Sequence, residues 1–261
     1  MMLLSGFGGS FRADESEGGR LVQSGEPPRS SPAPRSIAET PAARPDTMAR
    51  HEQFNAIAQR GEAKLVFVGD SITQGWEGPG KAEWARRFAP RHAANFGISG
   101  DRTEHVLWRI DHGNFDHFSP TLIVLMIGTN NTGHRMDPAR DTAAGVRAII
   151  DRLKSKCPRA RLLILGIFPR GDNADDPMRR RNDEVNAIVR TFADDATIFY
   201  RDIGSAFLMP DDAPAPAEAG AKKGRLKPGL MPDKLHLSEE GYGVWGEAIE
   251  RDVARLMDEQ K

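Results

Sequence analysis

The sequence predicts an α/β protein: a three-layer α/β/α sandwich around a five-stranded parallel sheet. Three observations predict it. Five short apolar runs recur along the chain, amphipathic helical patterns separate them, and three of the runs stop at Gly69, Gly128 and Pro169. Short continuous apolar runs mark strands buried on both faces. Strands alternating with helices give a parallel sheet covered on both sides. Right-handed crossovers leave few topologies. The expected order is 2-1-3-4-5, as in flavodoxin-like sheets, with the active site at the carboxyl ends of the strands.

The elements follow in order. His51 to Gln59 reads as a short helix, and residues 64–68 (KLVFV) as the first strand, closed by Gly69. Residues 94–98 (ANFGI) are a weaker second strand. Residues 121–127 (TLIVLMI) are the third, 161–168 (RLLILGIF) the fourth and 197–200 (TIFY) the fifth. Helical patterns cover Arg102 to Asp111, Pro138 to Ser155, Pro177 to Phe192 and Ser238 to Met257. The third-strand crossover helix places Ala143, Val146, Ile149, Ile150 and Leu153 on one face; the next places Val185, Ile188, Val189 and Phe192. The last takes Ser238 as N-cap and turns Tyr242, Trp245, Ile249, Val253 and Leu256 inward.

The chain has 261 residues, 39% hydrophobic and 28% charged, with a net charge of −1. That is a globular composition, and the balanced charge excludes the basic excess of a nucleic-acid binder. No run approaches the roughly 20 apolar residues of a membrane span. One cysteine, Cys157, rules out an intrachain disulfide and reads as a small apolar residue. Residues 1–46 are rich in Ser, Pro, Gly, Arg and Glu and read as a disordered tail, ahead of a domain over 47–261. Met48 would also serve as a start codon. The first residues lack the basic start and apolar run of a signal peptide, so the default compartment is the cytoplasm. Residues 210–232 read as a loop insertion before the last helix.

Four polar clusters fall at predicted strand ends or before the last helix: Gly69-Asp70-Ser71, Ser99-Gly100-Asp101, Gly128-Thr129-Asn130-Asn131, and Asp233 with His236. Taken alone, Asp-Ser after a strand reads better as a helix cap. As a nucleophile, Ser71 would sit where a helix dipole favours developing negative charge. A serine hydroxyl needs a base that takes its proton. His236 is the candidate, with Asp233 three residues earlier to fix its tautomer. Gly100 offers a backbone N–H and Asn130 a side-chain amide to an oxyanion. The Gly-x-Ser-x-Gly elbow of α/β-hydrolases is absent around Ser71. His92, His105, His112, His117 and His134 lack metal-ligand spacing, so no metal or cofactor is expected. Lys222-Lys223 and Arg179-Arg180-Arg181 read as solvated surface.

These blocks resemble the SGNH, or GDSL, hydrolase family, in order and over about residues 50–257. Within that family they look most like the catalytic subunits of intracellular platelet-activating-factor acetylhydrolase and bacterial GDSL acetylesterases. The segments that carry this likeness are residues 95–101 (NFGISGD), 105–109 (HVLWR), 128–131 (GTNN), 235–237 (LHL) and Gly241-Tyr242. The resemblance implies Ser71 as nucleophile, His236 as base and Asp233 as its orienter, with an oxyanion hole of Ser71 N–H, Gly100 N–H and Asn130. It implies a small-molecule ester substrate, an acetylated sugar or lipid, and a homodimer. Asp70 and Trp76 are candidates for lining the substrate pocket. Asn131 departs from the commonest third block, Gly-x-Asn-Asp, but the acetylhydrolase subunits share it. The alternatives are a lysophospholipase, thioesterase or acyl transferase on the same site, a non-catalytic binding subunit, and a phosphate-binding module. Asp70 argues against the last, because it would repel the anion.

Overall fold

The computed structural model describes residues 35–210 and 224–258. Helix α1 (Met48–Arg60) ends at Gly61 in the left-handed conformation. Strand β1 (Leu65–Gly69) runs straight into the short helix α2 (Ser71–Gln74). Helix α3 (Lys81–Arg87), strand β2 (Ala93–Gly97) and helix α4 (Thr103–Arg109) follow. Then come β3 (Leu122–Met126), α5 (Thr129–Arg135), α6 (Ala139–Lys156) and β4 (Arg161–Leu165). Helix α7 (Pro177–Val189), β5 (Ile198–Arg201) and α8 (Glu239–Asp258) complete the body.

The five strands form one parallel sheet in the order β2-β1-β3-β4-β5, as expected. Side chains alternate between its faces. On one face Val66, Val68, Ile123, Leu125 and Leu162 pack under α1, α4, α6 and α7, against Phe54, Val106, Ile149 and Val185. On the other, Leu65, Phe67, Val124 and Leu163 pack against Trp76, Phe88, Trp245 and Val253. Burial on both faces is why the strands are near-continuous apolar runs. The register aligns Gly69 with both Gly97 and Met126. Three chain segments therefore leave the sheet at the same level, on either side of the point where strand order reverses.

The structure departs from expectation at several points. Helices α3 and α5 were not anticipated. The helix expected over Arg102 to Asp111 stops at Arg109 and passes into a wide turn over Ile110–Asn114. The expected tail reaches residue 46, yet residues 36–47 form a strap with short 3-10 turns at Ile37–Glu39 and Pro45–Thr47. It is fastened by hydrogen bonds: Thr103 Oγ1 donates to Ala38 O at 2.9 Å, and Ala42 N donates to Glu104 O at 3.0 Å. Apolar content therefore underestimated it. Lastly, Arg179 is not solvated surface. It is fully buried and donates to Arg170 O, Gly171 O and Gly224 O, each at 2.7 Å.

Residues 1–34 of the expected tail, residues 211–223 of the expected insertion, and Lys222-Lys223 within it lie outside the described residues. No helix among the described residues is long and apolar enough to cross a membrane.

Candidate active site

Ser71 opens α2, and Asp70 caps it by accepting from Ile72 N at 3.0 Å. The helix lies directly on the strand ends. A Cβ on Gly69 would fall 2.1 Å from Thr73 Oγ1, and one on Gly97 would fall 2.3 Å from Gln74 N. Only glycine permits that approach. From the opposite side, Tyr242 Oη donates to Ile72 O at 2.6 Å. The residue after Ser71 is thus held from α8.

The segment before α8 brings the base to the serine. Asp233 Oδ1 accepts from the backbone N–H groups of Leu235 (3.1 Å) and His236 (2.7 Å), a local turn that Asp favours. Lys234 sits inside that turn at φ +65°, a strained setting for a residue with a side chain. Asp233 Oδ2 lies 2.6 Å from His236 Nδ1, and His236 Nε2 lies 2.9 Å from Ser71 Oγ. Partial burial opposes ionisation of Asp233. The hydrogen bonds from the His236 ring and from the two backbone N–H groups outweigh it and hold the carboxyl below the usual range. An ionised acceptor places the imidazole proton on Nδ1 and leaves Nε2 free to take one from Ser71. The turn is itself braced, because Gly171 N donates to Lys234 O at 3.0 Å.

Gly100 and Asn130 lie in the segments that follow β2 and β3, at the sheet edge where Ser71 follows β1. Gly100 has φ +78°, which glycine adopts freely. Asn130 lies in the first turn of α5 and donates through Nδ2 to Asp101 O at 2.9 Å. Asn131, the family variant position, is buried; it accepts from Thr103 N and donates to Thr103 Oγ1 at 3.0 Å, joining α5 to α4.

The structure brings Ser71, Asp233 and His236 into one hydrogen-bonded line. It does not place Asp70 and Trp76 as pocket lining. Trp76 is 1% exposed and packs against Tyr242 and Trp245 in the core, because its ring faces the sheet at Phe67 and the inward side of α8. Asp70 is equally buried. Burial, together with the nearby Asp101 and against the Ile72 N–H, pushes its carboxyl up to about 7.

Several residues at the site went unread in the sequence. Arg109 is buried under Asp101, donating to Oδ2 at 2.9 Å and to Phe96 O at 3.2 Å. Arg44, from the strap, donates to Asp101 Oδ1 at 3.0 Å and to Ser99 O at 2.7 Å. Arg170 donates to Thr129 O at 3.1 Å. No periodicity distinguishes an arginine that holds a loop from one that faces water. Burial and then the Arg102 guanidinium hold the His105 and His134 imidazoles below their ordinary range, His105 at about 4, so neither competes as a base. Cys157 is buried, donates to Phe118 O, and has its thiol pushed up to about 11 by burial, which makes it inert. Among the described residues no three His, Cys, Asp or Glu side chains converge as a metal site. A cleft of about 440 Å³ lined by Arg50, Phe54, Trp84 and Asn95 lies at the β2 edge and contains none of the three aligned residues.

The sequence profile of the GDSL-like lipase/acylhydrolase family matches residues 67–244, from β1 into α8. The chain belongs to that family. Among curated proteins it is 35% identical over 212 residues to platelet-activating factor acetylhydrolase IB subunit alpha1 of Homo sapiens, covering 80% of this chain and 84% of that one. It is 32% identical to subunit alpha2 of Rattus norvegicus over 214 residues, covering 81% and 85%. Solved structures share the fold at lower identity. A putative acylhydrolase from Bacteroides fragilis superposes with a TM-score of 0.63 at 20% identity, covering 82% of this chain and 99% of that one. An acetylxylan esterase from Geobacillus stearothermophilus gives 0.56 at 20% identity, covering 73% and 94%. The GDSL membership and these relatives make the chain a hydrolase of the esterase type, and they place its blocks in the SGNH fold.

Proposed function

We propose that this GDSL protein is a serine esterase that removes a short acyl group, acetyl, from a small-molecule, carbohydrate or lipid ester. Ser71 Oγ attacks the ester carbonyl as His236 Nε2 takes its proton. Asp233 keeps the imidazole in the right tautomer and stabilises the imidazolium. The tetrahedral oxyanion is received by the N–H groups of Ser71 and Gly100 and by Asn130. An amide nitrogen carries two N–H bonds. One of those on Asn130 is taken by Asp101 O, which orients the group and leaves the other for the oxyanion. His236 then protonates the departing alcohol. In the second half-reaction it draws a proton from water, which attacks the acyl-enzyme and restores Ser71.

The observation that carries this proposal is the line from Ser71 through His236 to Asp233, at 2.9 and 2.6 Å. The acetyl group comes from the names of the relatives, an acetylhydrolase subunit and an acetylxylan esterase. The test is hydrolysis of an activated acetyl ester with labelling by a fluorophosphonate. Ser71→Ala should lose both labelling and at least about 10³-fold in kcat. A variant that keeps its rate within a few-fold would refute the assignment. A series of longer acyl chains separates the acetylesterase from a lysophospholipase or thioesterase.

A further inference from the structure

We propose that Arg44, in the strap ahead of α1, is a positioning residue for the oxyanion hole. This rests on the esterase proposal above. The loop after β2 carries one oxyanion donor, Gly100, in a conformation that glycine holds with little preference of its own. Something outside the loop must fix it. The guanidinium of Arg44 straddles Gly100: Nη1 donates to Ser99 O at 2.7 Å on one side and to Asp101 Oδ1 at 3.0 Å on the other. It lies so close over the glycine that a Cβ there would meet Nη1 at 3.3 Å.

The same contact reaches the second donor. Asp101 O is the acceptor that orients the Asn130 amide. A shift of Asp101 therefore moves Gly100 and Asn130 together. Arg109 grips the other carboxylate oxygen of Asp101 from below. Arg44 closes the grip from above, and it is itself fixed. Asp46 pairs with its Nη2 at 2.7 Å, its side chain is only 21% exposed, and the strap is pinned to Thr103 and Glu104. A planar guanidinium with N–H bonds in fixed directions holds direction as well as distance, which a flexible ammonium does less well. Oxyanion donors act only when they are aimed in advance at the charge that develops.

The experiment is steady-state kinetics on p-nitrophenyl acetate, using the full chain. Rates are normalised to the sites that a fluorophosphonate titrates. The proteins are wild type, Arg44→Ala, Arg44→Lys, Asn130→Ala and the Arg44→Ala/Asn130→Ala double variant. Arg44→Ala should lower kcat about 10- to 100-fold with KM changed by less than about 3-fold, a part of what one lost donor costs. Arg44→Lys should recover part of the loss, and so should methylguanidinium added to Arg44→Ala. In the Asn130→Ala background, Arg44→Ala should cost less than about 3-fold, because the hole it aims is already broken. A loss of equal size in both backgrounds overturns the proposal, and so does a kcat within 2-fold of wild type. A loss that disappears on normalising to titrated sites overturns it too, since that marks a folding role alone. If wild type itself is not labelled, the esterase assignment fails instead, which is a separate outcome.

Discussion

At the scale of single residues, the two aspartates at the candidate site have opposite environments. Asp233 stands in a turn whose N–H groups and imidazole favour its charge. Asp70 is sealed beneath Ser71, where burial favours the proton. A group whose carboxyl is raised on folding contributes stability that is complete below its ordinary value, 3.8, and lost as pH rises through about 7. At 1.36 kcal/mol per pH decade the change amounts to roughly 4 kcal/mol. Asparagine can still accept the Ile72 N–H without the titration. Asp70→Asn is therefore expected to melt well above wild type at pH 8 and close to it near pH 4. Thermal unfolding at the two pH values checks this, and an equal difference at both would contradict it.

At the scale of elements, the site depends on α2 lying hard against the ends of β1 and β2. A methyl group at position 97 would press on backbone rather than on a side chain able to move. Gly97→Ala should cost about 3 kcal/mol, read as a lower urea midpoint. A midpoint like wild type would show that the helix can ride outward. The same scale explains what the sequence let one read. Strands β1, β3 and β4 were legible because both-face burial demands unbroken apolar runs such as Leu122–Met126. Helix α8 was legible from its inward stripe and from Ser238, whose Oγ accepts from Gly241 N. Helix α3 offers one large apolar side chain, Trp84, in seven residues. Helix α5 is polar throughout and buries Thr129, Asn130, Asn131 and Thr132. With no apolar stripe, neither carries a periodic signal.

At the scale of the whole molecule, the candidate site was legible because chain topology does the gathering. Once the strand order is known, polar residues at strand ends must meet. The arginines that hold those ends were not legible. Arg44, Arg109 and Arg179 bind carbonyl oxygens and a carboxylate contributed by distant segments, and no local pattern announces such partners. The second face of the sheet has a consequence of another kind. Of the four tryptophans, Trp76, Trp84 and Trp245 share one aromatic cluster, with ring centres 4.8 Å apart for Trp76–Trp245 and 6.0 Å for Trp76–Trp84. Trp76 also touches Tyr242, which holds the residue beside Ser71. Rigid indoles this close couple their electronic transitions. The protein should therefore show a strong aromatic circular-dichroism signal that Trp76→Phe removes and that vanishes in one step on unfolding. A weak signal in the folded protein would contradict that packing. The aromatic layer thus doubles as an intrinsic optical reporter of the packing that holds the segment carrying Ser71, read without attaching a dye.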